Sequence, residues 1–290
     1  MTHRNALAAM VAVTLMWSIA GVVTRWLDSA RGFEITCWRS AANALALVAM
    51  LTLLRGPLPL LQSLRTGGRA LWLSAVCWCG MYTAFMMALS LTTVANVLVT
   101  MALSPLFTAL ASRIALGHRL ATRTWGAIVL AGAGIAWMYG HELRGGEHLV
   151  GTLVALAVPV AAAVNWTLLQ SLRGRDAAPD MLPAVLLGAL LSAALTLPLA
   201  WPLQASAHDV GWLAMLGVVQ LAVPCLLAVV IARTLPAPEI SLLSLLEVLF
   251  GVAWAWLGAG EAPSAAVLGG GALVLAALAG NEALALRARR

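Results

Sequence analysis

Charged residues are scarce in this chain of 290 residues, since Asp, Glu, Arg and Lys together make up 10% of it. Soluble domains carry about 25% charged residues, so this composition does not suit a surface exposed to water. Lysine is absent, and all 17 basic residues are arginines. The absence of lysine excludes the phosphate-binding loop of ATPases, whose lysine contacts the phosphates. The energy for any process that the protein drives would therefore come from concentration gradients or from the bound molecule.

Cysteine and histidine are also few, and their spacing indicates no metal centre. Cys37, Cys77, Cys79 and Cys225 lie in apolar segments, where cysteine behaves as a small hydrophobic residue. The five histidines fall at the ends of apolar segments or between them and form no ligand cluster. We therefore predict no metal and no cofactor. Basic runs with interleaved aromatic residues are missing too, so nucleic acid is not an expected partner.

Apolar residues dominate instead, at 62% of the chain with a mean hydropathy of +0.94. Runs of about 20 apolar residues recur from end to end, and each is long enough to cross about 30 Å of hydrocarbon. These runs predict an all-α membrane protein with ten transmembrane helices, surrounded by the lipid bilayer. The ten predicted spans lie near 5–27, 33–54, 70–91, 93–114, 122–140, 149–172, 181–202, 210–232, 239–257 and 264–286.

The arginines predict the direction in which the spans cross. With the N-terminus in the cytoplasm, 13 arginines fall on the cytoplasmic side and four on the outer side. Positive residues concentrate on the cytoplasmic side of membrane proteins, so we predict that both termini are cytoplasmic. The four outer arginines are Arg25, Arg31, Arg39 and Arg144.

Two stretches half a chain apart resemble each other without a gap. At an offset of 143 residues, Leu103 aligns with Leu246, Phe107 with Phe250, and Ser104 with Glu247. The stretches lie on the fourth and ninth spans, so five spans separate them. An odd number of spans turns the second copy upside down, which predicts two inverted-topology five-helix repeats near 6–140 and 150–286. Such repeats serve alternating access, because exchanging the two conformations exchanges the open side.

Several motifs carry a resemblance to a known family. They are MWSIAG at 16–21, LSPLF at 103–107, LLEVLF at 245–250 and GAGEAP at 258–263. The chain resembles the EamA-type exporters of the drug/metabolite transporter superfamily, as two tandem EamA units over 6–140 and 150–286. It departs from the family pattern at His118, where a glutamate usually follows the glycine, and at Val248, where a proline is usual.

The resemblance implies ten helices in two inverted halves around a central cavity. That cavity would be lined mainly by the first, third, fourth, sixth, eighth and ninth spans. Members of the family largely export amino acids, related metabolites or toxic compounds, and aromatic amino acid exporters share the fold. The resemblance and the composition also imply a bacterial inner-membrane location.

Glu247 is the main candidate for chemistry within the membrane. It lies near the middle of the ninth span, where a carboxylate costs about 3 kcal/mol on insertion scales. It is an ion-coupling candidate, with protons as the candidate ion, or a partner for a substrate amine. The alternative is a structural hydrogen bond to a neighbouring helix.

Polar and aromatic residues at helical spacing give the other candidates for a cavity wall. Their faces either line a cavity or make contacts between helices, and aromatic residues either stack on a substrate or fill the core. Arg39 is expected to extend outward to the interface or to pair with Glu34. The predicted substrate-binding residues are Trp17, Trp78, Tyr82, Asn96, Thr100, Ser104, Asn165, Trp166, Gln220, Ser244 and Glu247.

These features favour an integral membrane secondary transporter that exports amino acids or related small metabolites by alternating access. An exporter of cationic drugs or toxic metabolites is the alternative within the same class. An intramembrane enzyme would need a catalytic set such as GxSxG or HExxH, and neither occurs in the sequence. A purely structural membrane protein would explain the packing of the helices but not an inverted repeat. The sequence does not distinguish a monomer from an oligomer.

Overall fold

The computed structural model describes residues 1–92, 94–117, 120–139, 149–174, 179–259 and 264–288, and no β-strand occurs among them. The all-α prediction is therefore confirmed for the described part of the chain. The helices are α1 (His3–Trp26), α2 (Phe33–Arg55), α3 (Pro57–Thr66), α4 (Gly68–Leu91), α5 (Val94–Met101), α6 (Ser104–Leu116), α7 (Thr122–Tyr139), α8 (Leu149–Ser171), α9 (Leu182–Ala200), α10 (Ala207–Ile231), α11 (Ala237–Leu243), α12 (Leu246–Ala259) and α13 (Ala265–Ala288).

Helices occupy each of the predicted apolar stretches, with ends that differ by a few residues. Seven helical segments are long and apolar enough to cross a membrane: α1, α2, α4, α8, α9, α10, and α11 with α12 as one segment. The apolar helices α6 and 265–281 are shorter. The chain is therefore a multi-pass membrane protein.

The predicted fourth span is wrong as a single helix. It consists of α5 and α6, separated by a turn at Ala102 and Leu103. Pro105 lies in the first turn of α6, where its missing N–H group costs nothing, whereas within a continuous helix it would remove one backbone hydrogen bond. The ninth span is interrupted in a similar way by a turn at Ser244 and Leu245. The 143-residue offset relates the two interruptions to within one residue.

A short helix that the sequence analysis did not predict lies between the second and third spans. Gly56 has a φ of 83°, a conformation that favours glycine, and Pro57 then starts α3. No side chain of α3 is buried, and Leu58 and Leu61 are exposed.

The helices around the middle of the chain form the main packed group. Helix α4 packs against α8 and α9, α9 packs against α2, and α6 packs against α8. Helices α7 and α13 pack extensively on each other. Gly134 of α7 lies so close to α13 that a Cβ atom there would be 2.7 Å from the carbonyl oxygen of Gly270.

Candidate functional site

A cavity of about 890 Å³, including its open side, lies between the helices. Its walls come from α1, α2, α4, α5, α6, α8, α10 and α12 and from the turn between α11 and α12. The second span also contributes to the wall, through Arg39, although it was not among the spans expected to line the cavity. Most of the wall is apolar, with Met81, Phe85, Leu98, Met101, Val158 and Leu221 among its side chains.

An aromatic group forms one side of the cavity. The rings of Trp78 and Tyr82 lie 5.6 Å apart and nearly parallel, and Trp166 meets Trp78 edge-on at 5.7 Å. Because Trp78 and Tyr82 are four residues apart on α4, they share one face of that helix. The indole nitrogen of Trp78 is buried and has no hydrogen-bond partner among the described residues. The hydroxyl of Tyr82 is a second buried donor without a partner among the described residues. This wall can therefore contact an apolar or aromatic molecule and offers it two donors.

Arg39 lies inside the bundle with 1% of its surface exposed, so the expected outward orientation is wrong. Its Nη2 donates to the carbonyl oxygen of Tyr82 at 2.9 Å, and its Nη1 donates to Oε1 of Gln220 at 3.3 Å. Pairing with Glu34 is also wrong, because that carboxylate accepts from the backbone N–H groups of Gln204 and Ala205, both at 2.8 Å. Acceptors on neighbouring helices satisfy two of the guanidinium nitrogens without access to water.

A widened turn in α10 brings Gln220 to Arg39. Residues Leu216–Ala222 are π-helical, and Pro224 follows them. Pro224 has no N–H group to donate to the carbonyl of Gln220, four residues earlier, which favours the wider turn. At the start of this turn, Gly217 lets α10 approach α2, since a Cβ there would lie 2.7 Å from the carbonyl oxygen of Arg39.

Glu247 lies in the first turn of α12 and lines the cavity. Its side chain makes no hydrogen bond or ion pair with any residue that the structure describes, so no structural interhelical hydrogen bond is seen there. Arg39 and Glu247 do interact electrostatically, although they are not in ion-pair contact. The cavity thus contains one guanidinium and one carboxyl group in a mostly apolar wall that also includes Ser104, Gln220 and Ser244.

The structure brings most of the predicted site residues to this cavity. Thr100 and Asn165 are buried but do not line it, and Asn165 instead accepts a hydrogen bond from Ser74 at 2.6 Å. The side chain of Asn96 lies outside the described part of the structure. The predicted residues that line the cavity are Trp17, Trp78, Tyr82, Ser104, Trp166, Gln220, Ser244 and Glu247.

The predicted polar stripe of the ninth span has two separate environments. Ser241 is buried in a contact between helices, where its hydroxyl lies 3.0 Å from that of Ser104 and accepts from Thr108 at 3.1 Å. Ser244 and Glu247 line the cavity. The turn between α11 and α12 separates the two environments.

Comparison with known proteins agrees with this architecture. Residues 4–140 match the EamA-like transporter family. This match assigns residues 4–140 to that family. A solved crystal structure with 19% sequence identity matches 98% of this chain and 99% of its own, with a TM-score of 0.77. At that identity the similarity shows the fold alone. Comparison with curated proteins gives no match.

The match confirms the resemblance seen in the motifs of the first half, MWSIAG at 16–21 and LSPLF at 103–107. Proteins of that family are membrane transporters, which act on small-molecule substrates within the lipid bilayer. The family match ends at residue 140, so the second unit at 150–286 stays a prediction.

Proposed function

We propose that the protein exports amino acids or related small metabolites through the cavity by alternating access. The observation that carries this proposal is the apolar, aromatic cavity with the carboxyl group of Glu247 in its wall. Small-molecule sites combine such apolar walls with a few polar groups that orient the ligand. The substrate would enter the cavity from the cytoplasm and leave on the outer side.

Alternating access would use two inverted halves, 6–140 and 150–286, with ten membrane crossings. The interruptions of α5–α6 and α11–α12 support this, because they occupy equivalent places in the two halves and both border the cavity. Interrupted helices in corresponding positions of two halves are typical of transporter binding sites. In this arrangement both termini lie in the cytoplasm and the membrane is the bacterial inner membrane.

Glu247 is the proposed coupling group, with protons as the coupling ion. A carboxyl group without a hydrogen-bond partner among the described residues is free to bind a proton or a substrate amine. Because its charge acts on the cavity, a change in protonation would change the affinity for a charged substrate.

Counterflow in liposomes tests the proposal. Purified protein is reconstituted with unlabelled amino acids inside, and uptake of labelled threonine, phenylalanine and tryptophan is followed with and without a pH gradient. Saturable uptake supports an amino-acid carrier, and a pH response that is lost in Glu247→Gln supports proton coupling. A folded protein that shows no counterflow would contradict the amino-acid assignment. A Glu247→Gln variant that matches the wild type would contradict the coupling role.

Export of cationic drugs or toxic metabolites is the second candidate. It is favoured by the aromatic wall together with a carboxyl group, since both attract cations. Labelled phenethylamine in the same assay separates the two candidates.

A further inference from the structure

The cavity holds two groups of opposite charge that are not in contact with each other. Arg39 comes from α2 and Glu247 from α12, and both line the same space. They interact electrostatically but form no ion pair, and Glu247 has no other polar partner within the described part of the chain. An arrangement of this kind leaves room for a ligand between the charges.

The contacts of Arg39 leave its charge only partly compensated. Both of its hydrogen-bond acceptors are neutral, namely the carbonyl of Tyr82 and the amide oxygen of Gln220. Its Nε has no hydrogen-bond partner among the described residues, although the residue is 1% exposed. Buried guanidinium groups usually meet a carboxylate, often through two parallel hydrogen bonds. The free Nε indicates that one acceptor is still to be supplied.

The charge of the ligand follows from the charges of the wall. A cation would compensate Glu247 and leave Arg39 in apolar surroundings, and an anion would do the reverse. A molecule with one positive and one negative group compensates both and adds no net charge to the cavity. Because uncompensated charge is costly where water is excluded, the neutral combination is favoured.

Resting on the proposed transport function, we propose that the cavity binds a zwitterion with an apolar side chain, whose carboxylate meets Arg39 and whose ammonium meets Glu247. Gln220 is a positioning residue, since its amide oxygen holds Nη1 of Arg39. The apolar part of the ligand lies against the aromatic wall of Trp78 and Trp166. Arg39 thus determines specificity by distinguishing amino acids from amines of the same shape.

Three probes that each carry a phenyl group test the two charged groups of the ligand separately. Binding of labelled phenylalanine to the purified full-length protein is measured in competition with unlabelled phenylalanine, phenethylamine and 3-phenylpropionate. The two analogues lack the carboxylate and the ammonium respectively. We expect each to compete about tenfold more weakly than phenylalanine, the loss typical of one charge-assisted hydrogen bond. Equal competition by phenethylamine would overturn the proposal.

Two variants assign the charges to the residues. In Arg39→Gln, the binding of phenylalanine should be about tenfold weaker and should equal that of phenethylamine, while the binding of phenethylamine itself should change little. In Glu247→Gln, 3-phenylpropionate should become as good a competitor as phenylalanine. Arg39→Lys should keep part of the preference, and Arg65→Gln on the exposed helix α3 is the matched control. If Arg39 has only a structural role, the binding of all three probes will weaken equally in Arg39→Gln, and the proposal is overturned.

Failure of this proposal can be told apart from failure of the transport function. Counterflow of phenethylamine without counterflow of phenylalanine would overturn the zwitterion site and leave a transporter of cations. Counterflow of none of the amino acids and none of the three phenyl probes by folded wild-type protein would overturn both. Should Arg39→Gln not fold, competition on the wild-type protein alone still decides the charge requirement.

Discussion

Arg39 donates a hydrogen bond from Nη1 to Oε1 of Gln220 at 3.3 Å, which joins α2 to the π-helical turn of α10. The same side-chain amide donates from Nε2 to the carbonyl oxygen of Trp17 at 3.2 Å. One glutamine therefore connects three helices at the wall of the cavity. Arg39 keeps a second hydrogen bond, from Nη2 to the carbonyl oxygen of Tyr82, but its Nη1 has Gln220 as its acceptor.

Replacing Gln220 by Ala should destabilise the protein. The substitution leaves Nη1 of Arg39 and the carbonyl of Trp17 without these partners, which typically lowers the free energy of unfolding by about 1–3 kcal/mol. Unfolding in SDS and detergent mixtures, followed by circular dichroism, measures the change. Gln62→Ala, on the exposed face of α3, is the control. Equal stability of the two variants would show that the connection contributes nothing.

Asp209, in the first turn of α10, holds the segment between α1 and α2 on the predicted outer side, and Asp209→Asn should weaken this contact. Its carboxylate accepts from the backbone N–H groups of Asp28, Ser29 and Ala30 at 2.8 to 2.9 Å. An amide has one oxygen in place of two and cannot accept all of these bonds. We expect a lower midpoint of thermal unfolding than for Asp28→Asn, whose carboxyl group is largely exposed. A midpoint equal to that of Asp28→Asn would contradict this account.

Gly134→Val should separate α7 from α13. A Cβ at this position would lie 2.7 Å from the carbonyl oxygen of Gly270 and 3.0 Å from a methyl carbon of Val274. Overpacking of this kind usually lowers the free energy of unfolding by about 1–3 kcal/mol. Gly132→Val is the matched control on the same helix, because nothing lies within 4 Å of its Cβ position. The prediction fails if both valine variants unfold at the same SDS fraction.

The hydroxyl pair of Ser104 and Ser241 should show a measurable coupling between α6 and α11. Their oxygen atoms lie 3.0 Å apart in a buried contact. Interhelical hydrogen bonds in membranes contribute about 0.6 kcal/mol on average and up to about 1.7. A double-mutant cycle of Ser104→Ala and Ser241→Ala should give a coupling in this range. Ser104→Ala combined with Ser90→Ala, at an exposed position, should be additive.

The apolar stretches could be predicted because hydropathy is a local property of the sequence. Helix α8 at Leu149–Ser171 nearly coincides with its predicted span at 149–172. Interruptions are harder to predict, since a proline can either bend a helix or start a new one. Pro105 does the latter, and the turn at Ser244 and Leu245 has no proline in it at all. In this turn the hydroxyl of Ser244 donates to the carbonyl oxygen of Ser241 at 2.7 Å.

The candidate site could be predicted in part for a similar reason. Gln220 and Glu247 are expensive to expose to lipid, so the sequence marks them as facing protein or a cavity. Helical spacing alone does not decide which inner face meets the cavity, and Asn165 therefore contacts Ser74 instead. Arg39 was assigned the wrong environment because its acceptors lie on helices distant in the sequence.

The sequence by itself determined the helical membrane class and the resemblance to a transporter family, because composition, apolar runs and short motifs are local features. Only the tertiary structure decided that Arg39 and Glu247 share one cavity. The partner of Arg39 on α10 is 181 residues away, and its approach requires the close contact at Gly217 and the widened turn before Pro224. Such contacts depend on how the helices pack, which is a property of the whole bundle and of no single segment.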